Sequence, residues 1–133
     1  MRDINFRGRR IDTDEWVFGG LVETNCGHVG ISLFTKYADR KIECIFCEVN
    51  PNTVGQFTGM KDKNGKKIYE FDVVRNKWGG IGIIVLYDGC WSIKWDEDEI
   101  HFLFAELEDS IEIIGNKFDN PELLKIRQCT ENE

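Results

Sequence analysis

The stretch that decides the fold is Thr53 to Arg75, with the sequence TVGQFTGMKDKNGKKIYEFDVVR. It contains the pair Asn64-Gly65, which is typical of a tight hairpin turn because both residues tolerate positive φ. After the turn, Lys67 to Asn76 is rich in β-branched and aromatic residues, which favours one continuous strand. The stretch contains no evident nucleophile, general base or phosphate cradle. It therefore predicts a small, β-rich, barrel-like domain and identifies no catalytic motif.

Short strand patterns continue on both sides of this stretch. The other predicted strands are Glu15–Glu23, His28–Phe34, Ile42–Val49, Ile81–Tyr87, Cys90–Trp95 and Ile111–Phe118. Strict alternation within Cys90–Trp95 places Trp91, Ile93 and Trp95 on one face. His101–Leu107 is predicted as a short helix or 3₁₀ turn, and Asn120-Pro121-Glu122 is typical of a helix start because Asn caps and Pro fits the first helical position. The chain is therefore mainly β.

Composition and charge exclude several classes of protein. The chain has 133 residues, a formal charge of −7 and five cysteines. A net negative charge disfavours a general nucleic-acid coat, although a local basic face remains compatible with it. The first residues lack the apolar run of a signal peptide, and no segment approaches the ~18 apolar residues of a membrane span. We therefore expect a soluble cytoplasmic protein with reduced thiols, since five cysteines cannot all pair within one chain.

One group of residues has the ligand types that suit tetrahedral zinc. These residues are Cys26, His28, Cys44 and Cys47. Against a metal site, Ile45 and Phe46 separate the last two cysteines, and a regular strand would direct those cysteines to opposite faces. The alternative is that the cysteines are small buried hydrophobic residues, which is common for free cysteine.

A second group combines positive charge with aromatic rings, as on nucleic-acid-binding barrels. Its candidate contacts are Lys63, Lys66, Lys67, Arg75, Lys77 and Trp78. The favoured alternative is that the lysines are solvated turn residues and the aromatic rings belong to the core, because the net charge opposes binding. Residues 96–112 are in contrast acidic, with eight carboxylates and no lysine or arginine. They form either a surface for a basic partner or, more simply, a solubilising face.

The stretch Thr53–Arg75 closely resembles the signature of the YopX-like proteins of bacteriophages and prophages. Two other segments resemble the opening and the close of that family, Phe6–Gly19 and Ile111–Leu124. The resemblance thus covers nearly the whole chain, while Thr24–Val49, which holds the zinc candidates, shows no family pattern. Phe71 departs from the family, which more often has glycine there. Phenylalanine indicates a more regular strand entry or an additional core contact.

The resemblance implies an SH3-like small barrel in the second half of the chain. We therefore expect an N-terminal β unit at residues 1–58, an SH3-like barrel at 59–118, and a short C-terminal helix and tail at 119–133, together one compact unit. It also implies an accessory protein of a phage or prophage, acting in the bacterial host cytoplasm, and it brings no catalytic residues. We expect no enzymatic activity, no cofactor and no membrane contact. The expected partner is a protein or a second copy of the chain, since exposed strand edges often pair; nucleic-acid binding and zinc binding are the alternatives.

Overall fold

The structure is a computed structural model that describes residues 3–36, 42–106 and 111–124. The chain divides into two compact units, Met1–Phe57 and Thr58–Glu133. Antiparallel strands dominate both units, so the prediction of a mainly β fold is confirmed.

The first unit is a curved antiparallel sheet. Its elements are β1 (Phe6–Arg9), β2 (Trp16–Glu23), β3 (Val29–Lys36), β4 (Ile42–Glu48), a 3₁₀ turn (Pro51–Thr53) and the beginning of β5 (Gly55–Lys61). The order of the strands in the sheet is β4-β3-β2-β1-β5. An isolated antiparallel β-bridge joins Arg10, the residue after β1, to Val49, the residue after β4. The ends of β1 and β4 therefore lie beside each other. Because the sheet curves in this way, Ile31, Cys47 and Val49 are buried although the unit is small.

Local hydrogen bonds explain why the first unit turns where it does. Between β2 and β3, Thr24 donates its N–H to the carbonyl of His28 at 2.8 Å, and Gly27 adopts a φ of +85°. Only glycine adopts that conformation without strain, so Gly27 explains why the chain turns here. After β4, the Asn50 side chain accepts the N–H of Asn52 at 3.0 Å and caps the 3₁₀ turn.

The second unit is a five-stranded antiparallel sheet with short helices. Beyond the end of β5 and its neighbour β6 (Lys67–Tyr69), the elements are β7 (Asp72–Arg75), β8 (Ile81–Tyr87), β9 (Cys90–Lys94), β10 (Ile100–Phe102), α1 (Leu103–Glu106) and β11 (Glu112–Asn116). The sheet order is β10-β9-β8-β7-β11, and residues 121–124 are helical. Its core consists of Ile68, Val74, Ile84, Ile93, Leu103 and Ile111. Trp91 and Trp95 pack against that core beside Ile93, as the alternating pattern predicted.

A buried carboxylate organises the hairpin turn between β5 and β6. Asp62 accepts the N–H groups of Asn64 and Lys66, both at 2.9 Å, through one oxygen. Its other oxygen accepts the N–H of Ile113 at 3.1 Å, 51 residues away in the sequence. Bonds from N–H donors to an ionised acceptor are among the stronger ones, so one side chain fixes both the turn and its contact with β11.

Three expectations for the second unit are wrong, in whole or in part. Lys67–Asn76 is not one strand, because a turn at Glu70 and Phe71 separates β6 from β7. Phe71 has a φ of +71°, so it does not give the regular strand entry that the sequence suggested. The additional core contact stays a prediction, because Phe71 is half-buried and its ring packs edge-to-face on Phe118 at 5.6 Å outside the core cluster. The segment predicted as a helix at 101–107 begins as a strand and becomes helical only at Leu103.

Tertiary hydrogen bonds hold Phe71 in this conformation. Its N–H donates to the carbonyl of Ile84 at 2.9 Å, and its own carbonyl accepts the N–H of Lys117 at 2.9 Å. The buried carboxylate of Asp72 accepts the N–H of Tyr69 at 2.8 Å and closes the turn. Asp72 therefore has a structural role at the beginning of β7.

Candidate protein-binding surface

The zinc candidates lie on different parts of the first unit. Cys26 is exposed on the turn before β3, whereas Cys47 is buried in β4 directly opposite Ile31. His28 places its Nδ1 2.8 Å from a carboxylate oxygen of Glu48. The side chain of Cys44 lies outside the described part, and within that part no three potential ligands form a metal-binding group. The zinc site stays a prediction.

The basic candidates of the second unit include two residues that contact a carboxylate and two exposed lysines in or beside a turn. Lys63 and Arg75 both approach the same carboxylate oxygen of Glu112, at 3.7 and 3.2 Å. That carboxylate offsets part of the positive charge that a phosphate would need. Lys66 lies in the hairpin turn and Lys67 begins β6, and both residues are exposed.

Trp78 is the most exposed aromatic residue among those described, at 71%. It lies in the turn between β7 and β8, where the Asn76 side chain accepts the N–H groups of Trp78 at 3.0 Å and Gly80 at 2.8 Å. The ammonium group of Lys77 stands 4.5 Å from the centre of the Trp78 ring. The turn therefore presents a ring and a cation together in a fixed conformation.

Only one described pair of titratable side chains has clearly perturbed pKa values. A hydrogen bond from Arg10 holds the pKa of Asp12 below its usual value, and the same contact raises the pKa of Arg10. Both groups are exposed, and their contact at 2.9 Å is an ordinary surface ion pair. It resembles a structural contact and not an acid–base pair poised for catalysis.

A cluster of exposed apolar side chains lies on one face of the first unit. Gly20 in β2 pairs with Ser32 in β3, which pairs in turn with Phe46 in β4. Directly opposite residues point to the same face, and so do residues two apart along a strand. Phe18 and Val22 therefore share the face of Gly20 and Phe46. Phe18 is 48% exposed, Phe46 44% and Val22 38%, so this face is apolar and open to solvent.

The centre of this face is a shallow hollow, because Gly20 has no side chain. A Cβ added to Gly20 would meet no atom closer than the Ser32 Cβ at 4.0 Å. By contrast, a Cβ on Gly30 would lie 2.2 Å from the Phe46 ring, so that ring covers the Gly30 backbone. Gly20 thus lies between Phe18 and Val22 along β2, with Phe46 two strands away beyond Ser32, and we name this open position the Gly20 hollow.

Sequence reasoning missed the Gly20 hollow because exposed and buried strand positions were not distinguished. The available signal was the presence of Gly20 and Gly30 inside strands that are otherwise apolar, since glycine within a strand often marks a close approach of another group. The Gly20 hollow can be recognised only when the register of β2, β3 and β4 is known.

Comparison with known proteins identifies the fold and the family resemblance. Residues 5–125 match the family model described as YopX protein. A crystal structure of protein EF1440 from Enterococcus faecalis has a TM-score of 0.60 and 21% identity, covering 93% of this chain and 99% of that one. No curated protein matches the sequence significantly. Among the described residues, no helix is long and apolar enough to cross a membrane.

Proposed function

The chain belongs to the YopX family, and we propose that it is an accessory protein of a phage or prophage that acts in the host cytoplasm by binding another protein, without catalysis. The observation that carries this proposal is the Gly20 hollow with its apolar rim. Contiguous apolar side chains exposed on a small protein are typical of interaction surfaces, and burying one of them stabilises a complex by about 1.5–3 kcal/mol.

The geometry of the hollow favours a protein partner with one protruding apolar side chain. Phe18 and Phe46 provide ring surface on either side of Gly20, and binding sites often centre on such an anchored side chain. Arg7 lies directly opposite Phe18, and Arg9 opposite Trp16, with the Arg7 guanidinium 4.9 Å from the Trp16 ring. Arg7 is buried and Arg9 is half-buried, so the proposed partner is defined by its apolar side chain alone.

The test is affinity capture from host cells with the hollow open or filled. Gly20→Arg fills the hollow without a predicted clash, since a Cβ there meets nothing within about van der Waals distance. Ile4→Arg is the matched control, because it makes the same charge change at an exposed apolar residue that precedes β1. We expect a protein, resistant to nuclease treatment, that is captured by the wild type and by Ile4→Arg but not by Gly20→Arg.

Sedimentation of the purified proteins distinguishes a second copy from a foreign partner. If the occupant is another copy of the chain, the wild type and Ile4→Arg form dimers at micromolar concentration and Gly20→Arg is monomeric. If Gly20→Arg binds and associates as the wild type does, the proposed function of the hollow is refuted.

A second candidate function is nucleic-acid binding, which the fixed exposure of Trp78 beside Lys77 favours. A ring and a cation in one turn fit base stacking and phosphate attraction. Its test is a gel shift with single- and double-stranded DNA at low and moderate salt. The shift should weaken with salt and should be lost in Trp78→Ala and in the double variant Lys66→Glu, Lys67→Glu. Absence of any shift at low salt refutes it.

A further inference from the structure

The second unit carries a different aromatic surface, formed by Phe102 and Phe104. The two rings stack with their centres 5.8 Å apart and their planes 13° from parallel. Phe102 is 50% exposed and Phe104 66%, so both rings stand in solvent and are not part of the core. Phe102 ends β10, which is the edge strand of its sheet, and Phe104 is the second residue of α1.

The charges beside this stacked pair are negative. Residues 94–101 carry four carboxylates and one lysine, a formal charge of −3 with His101 neutral. Lys94 lies 3.2 Å from Glu97, so the one basic side chain of this segment is held by a carboxylate. His101 lies 3.5 Å from Glu99. The segment therefore has an excess of negative charge even when its internal contacts are counted.

The acidic loop is close enough to act on a ligand at the rings. Glu99 and Phe102 are three positions apart in the chain, roughly 10 Å at the rise of a strand. That distance is slightly more than the Debye length of about 8 Å at physiological ionic strength, so salt weakens the attraction of the carboxylates for a cation bound over the rings, and the attraction grows as ionic strength falls.

We infer that the stacked pair Phe102–Phe104 is a docking surface for a basic, arginine-bearing segment of a partner protein. A guanidinium is planar and weakly hydrated, so it stacks on an aromatic face while its N–H groups reach carboxylates. A lysine ammonium lacks the planar surface and gains less from a stacked pair. The surface thus combines the two features that select arginine, a ring face and nearby negative charge. This inference is independent of the Gly20 hollow, which lies in the other unit.

The test uses the intact protein and two labelled peptides, nona-arginine and nona-lysine, with affinity measured by fluorescence anisotropy at two salt concentrations. Both peptides have the same charge, so their ratio isolates the contribution of the guanidinium. We expect nona-arginine to bind about threefold to tenfold more tightly than nona-lysine, the ratio expected from one or two exposed cation–π contacts. Phe104→Leu should bring the ratio near one, because leucine keeps apolar surface and removes the ring face.

Two further variants separate charge from ring stacking. The double substitution Asp98→Asn, Glu99→Gln should weaken both peptides and reduce the salt dependence while leaving the ratio unchanged. Leu86→Ala is the control, since Leu86 is equally exposed but lies on β8 away from the ring pair, and it should leave every value unchanged. Equal affinity for the two peptides, no measurable binding, or a ratio that survives Phe104→Leu would each overturn the inference.

Discussion

Replacing Phe71 by glycine should leave the protein more stable than replacing it by alanine, which reverses the order found at ordinary strand positions. The reason is the backbone conformation of Phe71, whose φ is +71°. For residues with a Cβ the left-handed region costs roughly 1–2 kcal/mol, and only glycine adopts it freely. Hydrogen bonds to Ile84 and from Lys117 fix this backbone whichever side chain is present.

The magnitudes follow from the contacts of the ring. Phe71 packs edge-to-face on Phe118, and the Lys117 ammonium stands 5.2 Å from the centre of the Phe71 ring. Loss of an aromatic pair costs about 0.5–1.5 kcal/mol and loss of an exposed cation–π contact about 0.5–1 kcal/mol. Both substitutions lose these contacts, but only alanine keeps the strained backbone. The glycine variant is free of this strain, but it loses roughly 0.5–1 kcal/mol because its unfolded chain has more conformational freedom. The glycine variant should therefore be about 0.5–1 kcal/mol more stable than the alanine variant.

Urea unfolding followed by tryptophan fluorescence measures this difference. Trp91 and Trp95 pack on the core of the same unit, so their emission reports its unfolding. The control pair is Leu86→Ala and Leu86→Gly, at an exposed strand residue outside the left-handed region, where alanine should be the more stable variant. If Phe71→Ala unfolds at the same or a higher urea concentration than Phe71→Gly while the control pair behaves normally, the strain argument is refuted.

Three other substitutions test the architecture. Asp62→Ala should destabilise the second unit by roughly 2–4 kcal/mol, because three backbone N–H groups lose a charged acceptor. Asp62→Asn should destabilise it less, because its carbonyl oxygen replaces one acceptor. The midpoints of urea unfolding measure this order, and the reverse order would contradict the reasoning. Gly30→Ala should destabilise the first unit by about 1–3 kcal/mol, because its Cβ meets the Phe46 ring. Gly20→Ala should change the stability by less than about 0.5 kcal/mol. Equal melting temperatures of the two variants would contradict this difference. Elemental analysis of protein purified without chelator should find less than about 0.1 zinc per chain, because Cys47 is buried and His28 contacts Glu48. One zinc per chain that is lost in Cys47→Ser would establish the metal site instead.

Local sequence signals predicted the turns whose geometry depends on the residues themselves. Gly65 in the predicted Asn64-Gly65 turn has a φ of +80°, the conformation that glycine favours at such a position. The burial of Ile93 between Trp91 and Trp95 also followed from alternation alone, because a strand has only two faces. In these cases no distant part of the chain was needed.

The turn at Phe71 could not be predicted because its cause is distant. Phenylalanine alone favours an extended backbone, and the bonds that override this preference come from Ile84 and Lys117, 13 and 46 residues further along the sequence. The pairing of Lys63 and Arg75 with Glu112 is non-local in the same way. Sequence reasoning grouped these cations as a candidate basic face, with solvated turn residues as the favoured alternative, whereas the fold places one carboxylate between them.

The family signature and the proposed binding surfaces occupy different residues, and this separates their effects. Within Thr53–Arg75 the buried polar residues make structural hydrogen bonds. Asp62 and Asp72 use their carboxylates to accept backbone N–H groups. Thr53 accepts the N–H of Arg9, and Thr58 donates its hydroxyl to the carbonyl of Ile68. The signature therefore describes how the chain folds. Binding is assigned to exposed rings outside it, in the Gly20 hollow and at Phe102 and Phe104. Substitutions in the signature should accordingly lower stability and binding together, whereas Gly20→Arg or Phe104→Leu should remove one interaction and leave the unfolding transition in place. A signature variant that abolished binding at full stability would show that the activity resides in the signature after all.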